Sequence, residues 1–386
     1  MKISRSLIFN FLILFCFLAP QIDAIYMISI LLFVIVSKTQ INSFKNPEIN
    51  IIKGLIFFIF PLSLFLSYLS IGPYFNKDVL KPILILILIF NLNENLIKFK
   101  VNKKLIFLIL LTLIVSQLAY VLNIESIKQI IDKFYPFVES QMVWTHRSIN
   151  DIDFINNFQI RAGGIYRNPN QYSKYINLLY IIFLSSYSFK KATNIIITLL
   201  CLFTIILTGS RTGILIFLVI NLLYYRKFKF GKKLIYLFSI VLIFISSQIS
   251  LRVFSFISEF NSESGSLINR LDGLYYLINN TNFYEIFIGH FYNETTINSF
   301  TQNKIMFDGD LISSLFSFGI IGLVLIYLFY FKIIYKNNHF IILPVFVYGI
   351  TGGLLQDLSF IILLSIIIGC QKLVKQNENY NLSKYK

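Results

Sequence analysis

Long apolar runs separated by short polar segments recur along almost the whole chain. A helix needs about 20 mostly apolar residues to cross the ~30 Å hydrocarbon core of a bilayer. The runs therefore predict an all-α polytopic membrane protein with about twelve transmembrane helices, and several short runs make ten to twelve the range. The predicted spans are centred on 7–20, 24–37, 52–70, 79–92, 104–122, 172–189, 193–208, 212–225, 233–250, 311–331, 338–350 and 353–370.

Two long polar stretches interrupt this pattern and hold most of the polar chemistry of the chain. The remaining connections are short. The pattern divides the chain into N-terminal transmembrane helices at 1–122, a first loop at 123–170, central transmembrane helices at 171–250, a large second loop at 251–309, and C-terminal transmembrane helices with a tail at 310–386.

The distribution of lysine predicts which side of the membrane each loop faces. The chain is 56% hydrophobic and 13% charged, with a net charge of +16, and its lysines concentrate in alternate short connections. The positive-inside rule assigns those connections and both termini to the cytoplasm, and the two long loops to the outside. A bias toward Ile, Asn, Lys, Phe and Tyr suggests an AT-rich bacterial gene. The bilayer explains the charge, and a nucleic-acid partner is not required.

Cysteine and histidine give no sign of a metal or redox site. Cys16, Cys201 and Cys370 lie in or beside predicted spans, and the sequence contains no CxxC, HExxH or phosphate-binding glycine loop. The three histidines are far apart in sequence. We therefore expect no metal and no cofactor.

Arginine is distributed differently from lysine. Six of the eight arginines fall in segments predicted to be outside, whereas most lysines fall inside. The positive-inside rule does not distinguish the two residues, but the planar guanidinium group binds phosphate bidentately and the ammonium group does not. The pattern predicts an anion-binding outer face, with Arg147, Arg161, Arg167, Arg211, Arg252 and Arg270 on it.

Helical periodicity appears within the first loop. Apolar residues at 127, 130, 131, 134 and 138 share one face, and Glu125, Lys128, Asp132 and Lys133 take the other. This pattern predicts an amphipathic helix. Such a helix could lie in the membrane interface or pack on the helix bundle, and the sequence favours neither.

Two turn signals carry arginine. The first loop ends in Arg161-Ala-Gly-Gly-Ile-Tyr-Arg167-Asn-Pro-Asn, and the predicted seventh and eighth spans are joined by Thr208-Gly-Ser-Arg-Thr-Gly213. A charge at Arg211, at or below the membrane surface, is costly and favours a functional role. The alternative is an arginine that extends to the lipid headgroups.

The second loop predicts another amphipathic helix at 267–278, with Arg270 on its polar side. Ile286-Phe-Ile-Gly-His290 follows, and Asp308-Gly-Asp310 then precedes the next span. Two acids at the mouth of a span are candidates for proton transfer. They are equally typical of a helix N-terminus, where they stabilise the helix dipole.

Taken in order, these motifs resemble the O-antigen ligase and polymerase superfamily over roughly residues 155–330. The resemblance is carried by Arg161-x-x-Gly164-x-x-x-Asn168-Pro-Asn170, Thr208-Gly-Ser-Arg-Thr-Gly213, Arg270 before Ile288-Gly-His290, and Asp308 ahead of Phe318-Gly-Ile-Ile-Gly322. It implies a GT-C-like helix bundle. Related ligases carry a histidine where this chain has Asp308, and this departure favours the Wzy-type polymerases over the ligases.

The resemblance implies glycosyl transfer outside the cytoplasmic membrane, from a glycan on undecaprenyl diphosphate to a sugar hydroxyl of a lipid-linked repeat unit. Cations must then neutralise the departing diphosphate, and a base must assist the hydroxyl. Asp308 or Asp310 is the candidate base, and His290 is a weaker one. The implied diphosphate-binding residues are Arg161, Arg167, Arg211, Arg252 and Arg270.

Two other functions compete with polymerisation. A flippase for lipid-linked glycan would also have many spans, but carriers usually show repeated halves and short loops, which this sequence lacks. A ligase would transfer the same donor to another acceptor. For a polymerase, the resemblance implies a chain-length regulator and a flippase as further partners.

Overall fold

A computed structural model describes residues 5–19, 23–37, 47–71, 80–91, 101–135, 162–166, 169–186, 191–225, 283–289 and 310–337, together with single positions at 279, 348, 359, 362 and 363. Within these residues every regular element is an α-helix and no strand occurs. The all-α class predicted from the sequence is confirmed for this part of the chain.

The helices are α1 (Arg5–Leu18), α2 (Asp23–Ser37), α3 (Pro47–Ile71), α4 (Leu80–Asn91), α5 (Lys103–Val121), α6 (Glu125–Phe134), α7 (Pro169–Ser186), α8 (Lys191–Leu207), α9 (Arg211–Tyr225), α10 (Phe283–Ile288) and α11 (Asp310–Asn337). A helix lies over every predicted span that the structure describes. The spans predicted at 233–250, 338–350 and 353–370 fall outside the described residues, apart from single positions in the last two.

Length and composition support a membrane location. Among the described helices, Pro47–Phe65 in α3 and Lys103–Val121 in α5 are long and apolar enough to cross a membrane. Shorter apolar helices include Leu7–Leu18, Met27–Val36, Thr193–Leu207, Thr212–Tyr224 and Ser317–Ile333. The total of about twelve spans and the division of the chain into inner and outer segments stay predictions.

The chain forms two compact units. Unit 1 contains Met1–Gln40, Glu94–Ile220 and Ser359–Lys386, and unit 2 contains Ile41–Asn93 and Asn221–Leu358. Unit 1 therefore holds α1, α2, α5 to α8 and most of α9, whereas unit 2 holds α3, α4, α10 and α11.

Helix α7 is the centre of unit 1. Every residue from 172 to 183 is buried, so protein surrounds the helix at that level. Tyr180 packs on Phe217 of α9 with ring centroids 4.8 Å apart, and Phe183 meets Phe107 of α5 at 5.2 Å. Helix α5 also contacts α1, α6 and α8. The interior of this unit is consequently rich in aromatic side chains.

Helix α6 confirms the predicted amphipathic element and ends at Phe134, so Val138 is not part of it and lies outside the described residues. Ile131 is buried, and the hydroxyl of Tyr120 in α5 donates to Asp132 Oδ1 over 2.6 Å. Ile130 and Phe134 are exposed. The helix therefore packs on α5 along one side and leaves an apolar edge uncovered. The second amphipathic helix, predicted at 267–278, lies outside the described residues.

Unit 2 is organised around α11, which packs against α3 and α10. Phe60 of α3 and Phe318 of α11 have ring centroids 4.5 Å apart, and Lys332 forms an ion pair with Glu48. Helix α11 covers the span predicted at 311–331 but is not continuous. Gly319 has φ 64° and ψ 179°, which breaks the helix at that residue.

Candidate functional site

The segment at 162–166 is a buried turn in unit 1. The backbone N–H of Ala162 donates to the carbonyl oxygen of Leu207, at the end of α8, over 3.0 Å. The Nε2 atom of Gln117 in α5 donates to the carbonyl oxygens of Ala162 and Thr204, at 3.0 and 2.9 Å. One buried carboxamide thus ties the turn to both α5 and α8.

Gly164 allows this turn to lie close to α5. Its φ is +54°, and a β-carbon there would lie 2.6 Å from Ser116 Oγ, 3.0 Å from the Gln117 nitrogen and 3.2 Å from Tyr172 Cε2. A side chain at this position would therefore meet both the α5 backbone and α7, as well as requiring a left-handed backbone. The glycine of the Arg161-x-x-Gly164 motif is required by packing and by backbone conformation.

Tyr166 anchors the other end of the turn. Its hydroxyl donates to the Phe17 carbonyl oxygen near the end of α1, at 2.6 Å. Its ring stacks on Tyr175 of α7, with centroids 4.6 Å apart and planes 11° from parallel. Arg161 and Arg167 lie outside the described residues, but the turn that separates them is fixed at both ends.

The turn at 208–210 leads directly into α9. Ser210 is the N-cap residue, because its Oγ accepts from the Gly213 N–H at 3.2 Å, and its own N–H donates to Thr208 Oγ1 at 3.1 Å. Arg211 is the first residue of α9, although its side chain lies outside the description. The N-terminus of a helix favours anions because its backbone N–H groups and dipole both present positive charge.

The start of α9 lies directly against α7. A β-carbon on Gly213 would lie 2.6 Å from Ser173 Oγ, and the Nδ2 atom of Asn177 donates to the Gly213 carbonyl oxygen at 3.0 Å. Within the described part of the chain, the buried oxygens Gln117 Oε1, Gln171 Oε1 and Tyr172 OH have no hydrogen-bond partner. The α5–α7–α9 region is therefore a polar interior within an apolar unit.

Lys174 is the residue that sequence reasoning missed. It lies in α7 beside Ser173, has an exposed fraction of 1%, and places Nζ 5.5 Å from the centroid of the Tyr175 ring. Burying an amino group in an apolar interior is costly, so Lys174 is a candidate functional residue. A lysine inside the span predicted at 172–189 was the available signal.

In unit 2, two glycines from separate motifs meet. A β-carbon on Gly289 would lie 2.6 Å from the Phe318 carbonyl carbon, and one on Gly319 would lie 2.5 Å from the Ile288 nitrogen. Both glycines have positive φ, +85° and +64°. The hydroxyl of Ser63 in α3 donates to the Gly289 carbonyl oxygen at 3.0 Å. The backbone immediately before His290 is therefore held between α3 and the break in α11.

The structure thus brings together neighbouring parts of the predicted motifs: 162–166 with 207–213 in unit 1, and 287–289 with 318–319 in unit 2. Asp310 is the first residue of α11, as Arg211 is of α9, and the side chains of both lie outside the description. In the described ranges no group of three or more His, Cys, Asp or Glu could hold a metal ion. Outside the described residues lie Arg161, Arg167, Arg252, Arg270, His290 and Asp308.

Compared with models of protein families and with curated protein sequences, the chain matches none.

Proposed function

We propose that this protein is a glycosyltransferase of the cytoplasmic membrane that polymerises undecaprenyl-diphosphate-linked repeat units into a surface polysaccharide, either O-antigen or capsule. The observation that carries the proposal is the hydrogen bond from Ala162 to Leu207. It joins the turn between Arg161 and Arg167 to the segment that begins α9 at Arg211. Segments bearing three arginines are thereby neighbours in one unit, which supports a site for a polyanionic group.

The chemistry of the reaction requires such a site. The acceptor hydroxyl oxygen attacks the anomeric carbon of the donor glycan, and the bond from that carbon to the diphosphate oxygen breaks. The diphosphate leaves with the electron pair, and the hydroxyl proton passes to a base. Fixed cations and a helix N-terminus stabilise the charge that develops on the diphosphate. In this proposal Arg161, Arg211 and Arg270 are the strongest candidates for binding the diphosphate, and Arg167 and Arg252 are the next candidates.

Lys174 gives the proposal additional support. It lies five residues after the start of α7, or about 7.5 Å along the helix axis. A buried cation at this depth lies close to the end of the unit that holds the turn and the α9 N-terminus. Asp308 is the proposed base, and Asp310 stabilises the N-terminus of α11. His290 is the next candidate for the base.

The proposed orientation has both termini in the cytoplasm and the two long loops outside. The 162–166 turn contacts the C-terminal ends of α1 and α8 and lies just before the start of α7, so these helix ends share one side. The distribution of lysine is the reason for proposing that this side is the outside. In intact spheroplasts, cysteines placed at Ser140 and Ser262 should react with an impermeant thiol reagent. If Lys229→Cys reacts and the cysteines at 140 and 262 do not, the proposed orientation is wrong.

Deletion of the gene, followed by sizing of the surface glycan, tests the proposed reaction against its alternatives. Loss of a polymerase leaves caps of a single repeat unit, and restoring the wild-type gene should restore the long chains. A flippase deletion would leave no glycan at the surface. A ligase deletion would leave polymer that is not attached to its acceptor. Either of the last two results would reject polymerisation.

A further inference from the structure

Helix α6 packs on the last turns of α5 in unit 1. It starts directly after the 122–124 connection that follows α5, where Asn123 has a φ of +54°. Asp132, late in α6, accepts from Tyr120 in the last turn of α5. The contact with Tyr120 therefore holds the second half of α6 beside the last turns of α5.

The far end of α6 is fixed to α1. The hydroxyl of Tyr135, the residue after the helix, donates to the carbonyl oxygen of Leu18, the last residue of α1. Burial raises the pKa of this phenol, so it stays protonated and remains a donor at neutral pH. Helices α1 and α5 pack on each other. The Asn102 N–H donates to Asn10 Oδ1, so α1 ends about 10 Å or more before the end of α5. A ten-residue helix is about 15 Å long, and α6 thus spans from the end of α5 to the end of the shorter α1.

One edge of α6 is apolar and uncovered. Ile130 has an exposed fraction of 58% and Phe134 one of 66%. The opposite side is polar and satisfied within the segment, since Lys128 Nζ donates to Asn123 Oδ1 at 2.8 Å and lies 3.3 Å from Glu125 Oε2. No described residue covers this apolar edge, so the side chains of Ile130 and Phe134 remain largely exposed.

The exposed apolar side of α5 indicates that lipid covers this edge of α6. Leu108, Leu111 and Val115 are all exposed and recur along one side of a helix that is long and apolar enough to cross a membrane. Leu122 and Ile124, in the connection to α6, continue this exposed apolar surface. The end of α5 therefore lies at the membrane surface, where an amphipathic helix places its apolar edge in the headgroup boundary.

We propose that α6 is an interfacial helix, lying in the plane of the bilayer surface with Ile130 and Phe134 inserted among the lipids to a depth of about 5–10 Å. This inference rests on the membrane location and not on the enzymatic activity. It also has a consequence for the proposed enzyme. Tyr135 binds Leu18 and Tyr166 binds the adjacent Phe17, so α6 and the 162–166 turn are anchored to the same end of α1. The candidate site is thereby held near the depth of lipid phosphate groups.

Tryptophan fluorescence of the full-length protein tests this placement. The chain has a single tryptophan, so Trp144→Phe gives a silent background. Into it we would place Phe134→Trp, Ile130→Trp, the polar-side control Gln129→Trp and the mid-span control Leu111→Trp. Each variant is reconstituted in phosphatidylcholine vesicles whose acyl chains carry bromine either near the headgroup end or near the chain terminus.

Tryptophan at 134 and at 130 should lose fluorescence with bromine near the headgroup end and lose much less with bromine near the chain terminus. Gln129→Trp should be quenched little by either lipid. If Leu111→Trp is quenched while Phe134→Trp and Ile130→Trp are not, α6 is not interfacial. Blue-shifted, unquenched emission at both positions would mean that protein covers the edge. Red-shifted emission would mean that the edge is exposed to water. If Leu111→Trp is not quenched either, the membrane location itself is wrong.

Discussion

Gly289 and Gly319 cross so closely that neither position has room for a β-carbon. The β-carbon of a residue at 289 would lie 2.7 Å from the Phe318 nitrogen, and both backbones adopt positive φ. The crossing coincides with the break in α11 and with the Ser63 hydrogen bond to Gly289. The two motifs that precede and follow the predicted catalytic acids are therefore locked together by backbone packing.

Substitution of either glycine should destabilise unit 2. Gly289→Ala and Gly319→Ala would each add a left-handed alanine, which costs about 1–2 kcal/mol, as well as a steric clash. We expect lower abundance in the membrane and a lower midpoint of thermal unfolding in detergent. Gly54→Ala is the matched control, because an added β-carbon meets nothing within 4 Å in that exposed turn of α3. Wild-type melting of both variants would show that the two backbones do not cross this closely.

Replacement of Gln117 should loosen the buried turn. Gln117→Leu keeps the volume of the side chain but leaves the carbonyl oxygens of Ala162 and Thr204 without the donors they now have, at a cost of about 1–3 kcal/mol. Gln129→Leu, on the exposed polar side of α6, should change stability little. The measurement is the thermal midpoint of each purified variant. Equal midpoints for the two variants would contradict the role of Gln117.

The proposed role of the outer arginines depends on the shape of the guanidinium group. Arg161→Lys, Arg211→Lys and Arg270→Lys keep the charge and lose the bidentate fork. Each should lower the rate of polymerisation roughly a hundredfold, or about 3 kcal/mol, as the loss of a single transition-state contact typically does. Arg226→Lys, predicted to face the cytoplasm, serves as the control. Full-length glycan from all three outer variants would exclude bidentate binding at these positions.

The two acids before α11 should give different phenotypes. Asp308→Asn removes the proposed base, so chain extension should stop while the protein stays abundant. Asp310 begins α11, and Asp310→Asn loses only a favourable interaction with the helix dipole, worth about 0.3–1 kcal/mol. Glycan length and membrane abundance are measured in parallel. If only Asp310→Asn stops extension, the two roles are exchanged; if neither does, His290 or Glu294 becomes the candidate base.

Hydropathy and periodicity predicted the helices well because both are local properties. The apolar runs coincide with α1 to α5, and the spacing of Ile127, Ile130, Ile131 and Phe134 predicted α6. That helix ends before Val138 because Tyr135 precedes Pro136, and a residue before proline disfavours the α conformation. The C-terminal end of α6 is therefore set by the backbone restriction before Pro136, which the periodicity of side chains does not indicate.

The contacts of the candidate site could not be predicted in this way. The run from 311 to 331 is apolar throughout, so nothing in its hydropathy marks the break at Gly319, which depends on the close approach of Gly289. In the sequence, Gln117 is a single polar residue within a predicted span. Only the structure shows that its side chain donates a hydrogen bond to the 162–166 turn. Lys174 was visible as a charge within a span. Its burial follows from the central position of α7.

The most direct test of the central proposal is extension of a lipid-linked repeat unit by the purified protein. The protein is reconstituted in vesicles with the undecaprenyl-diphosphate-linked repeat unit of its own host, and the products are separated by size. We expect a ladder of products that differ by one repeat unit, formed in the presence of a metal chelator and formed roughly a hundredfold more slowly by Arg211→Lys. Repeat units that stay single, in vesicles where the wild-type protein is folded, would contradict the proposed polymerase activity.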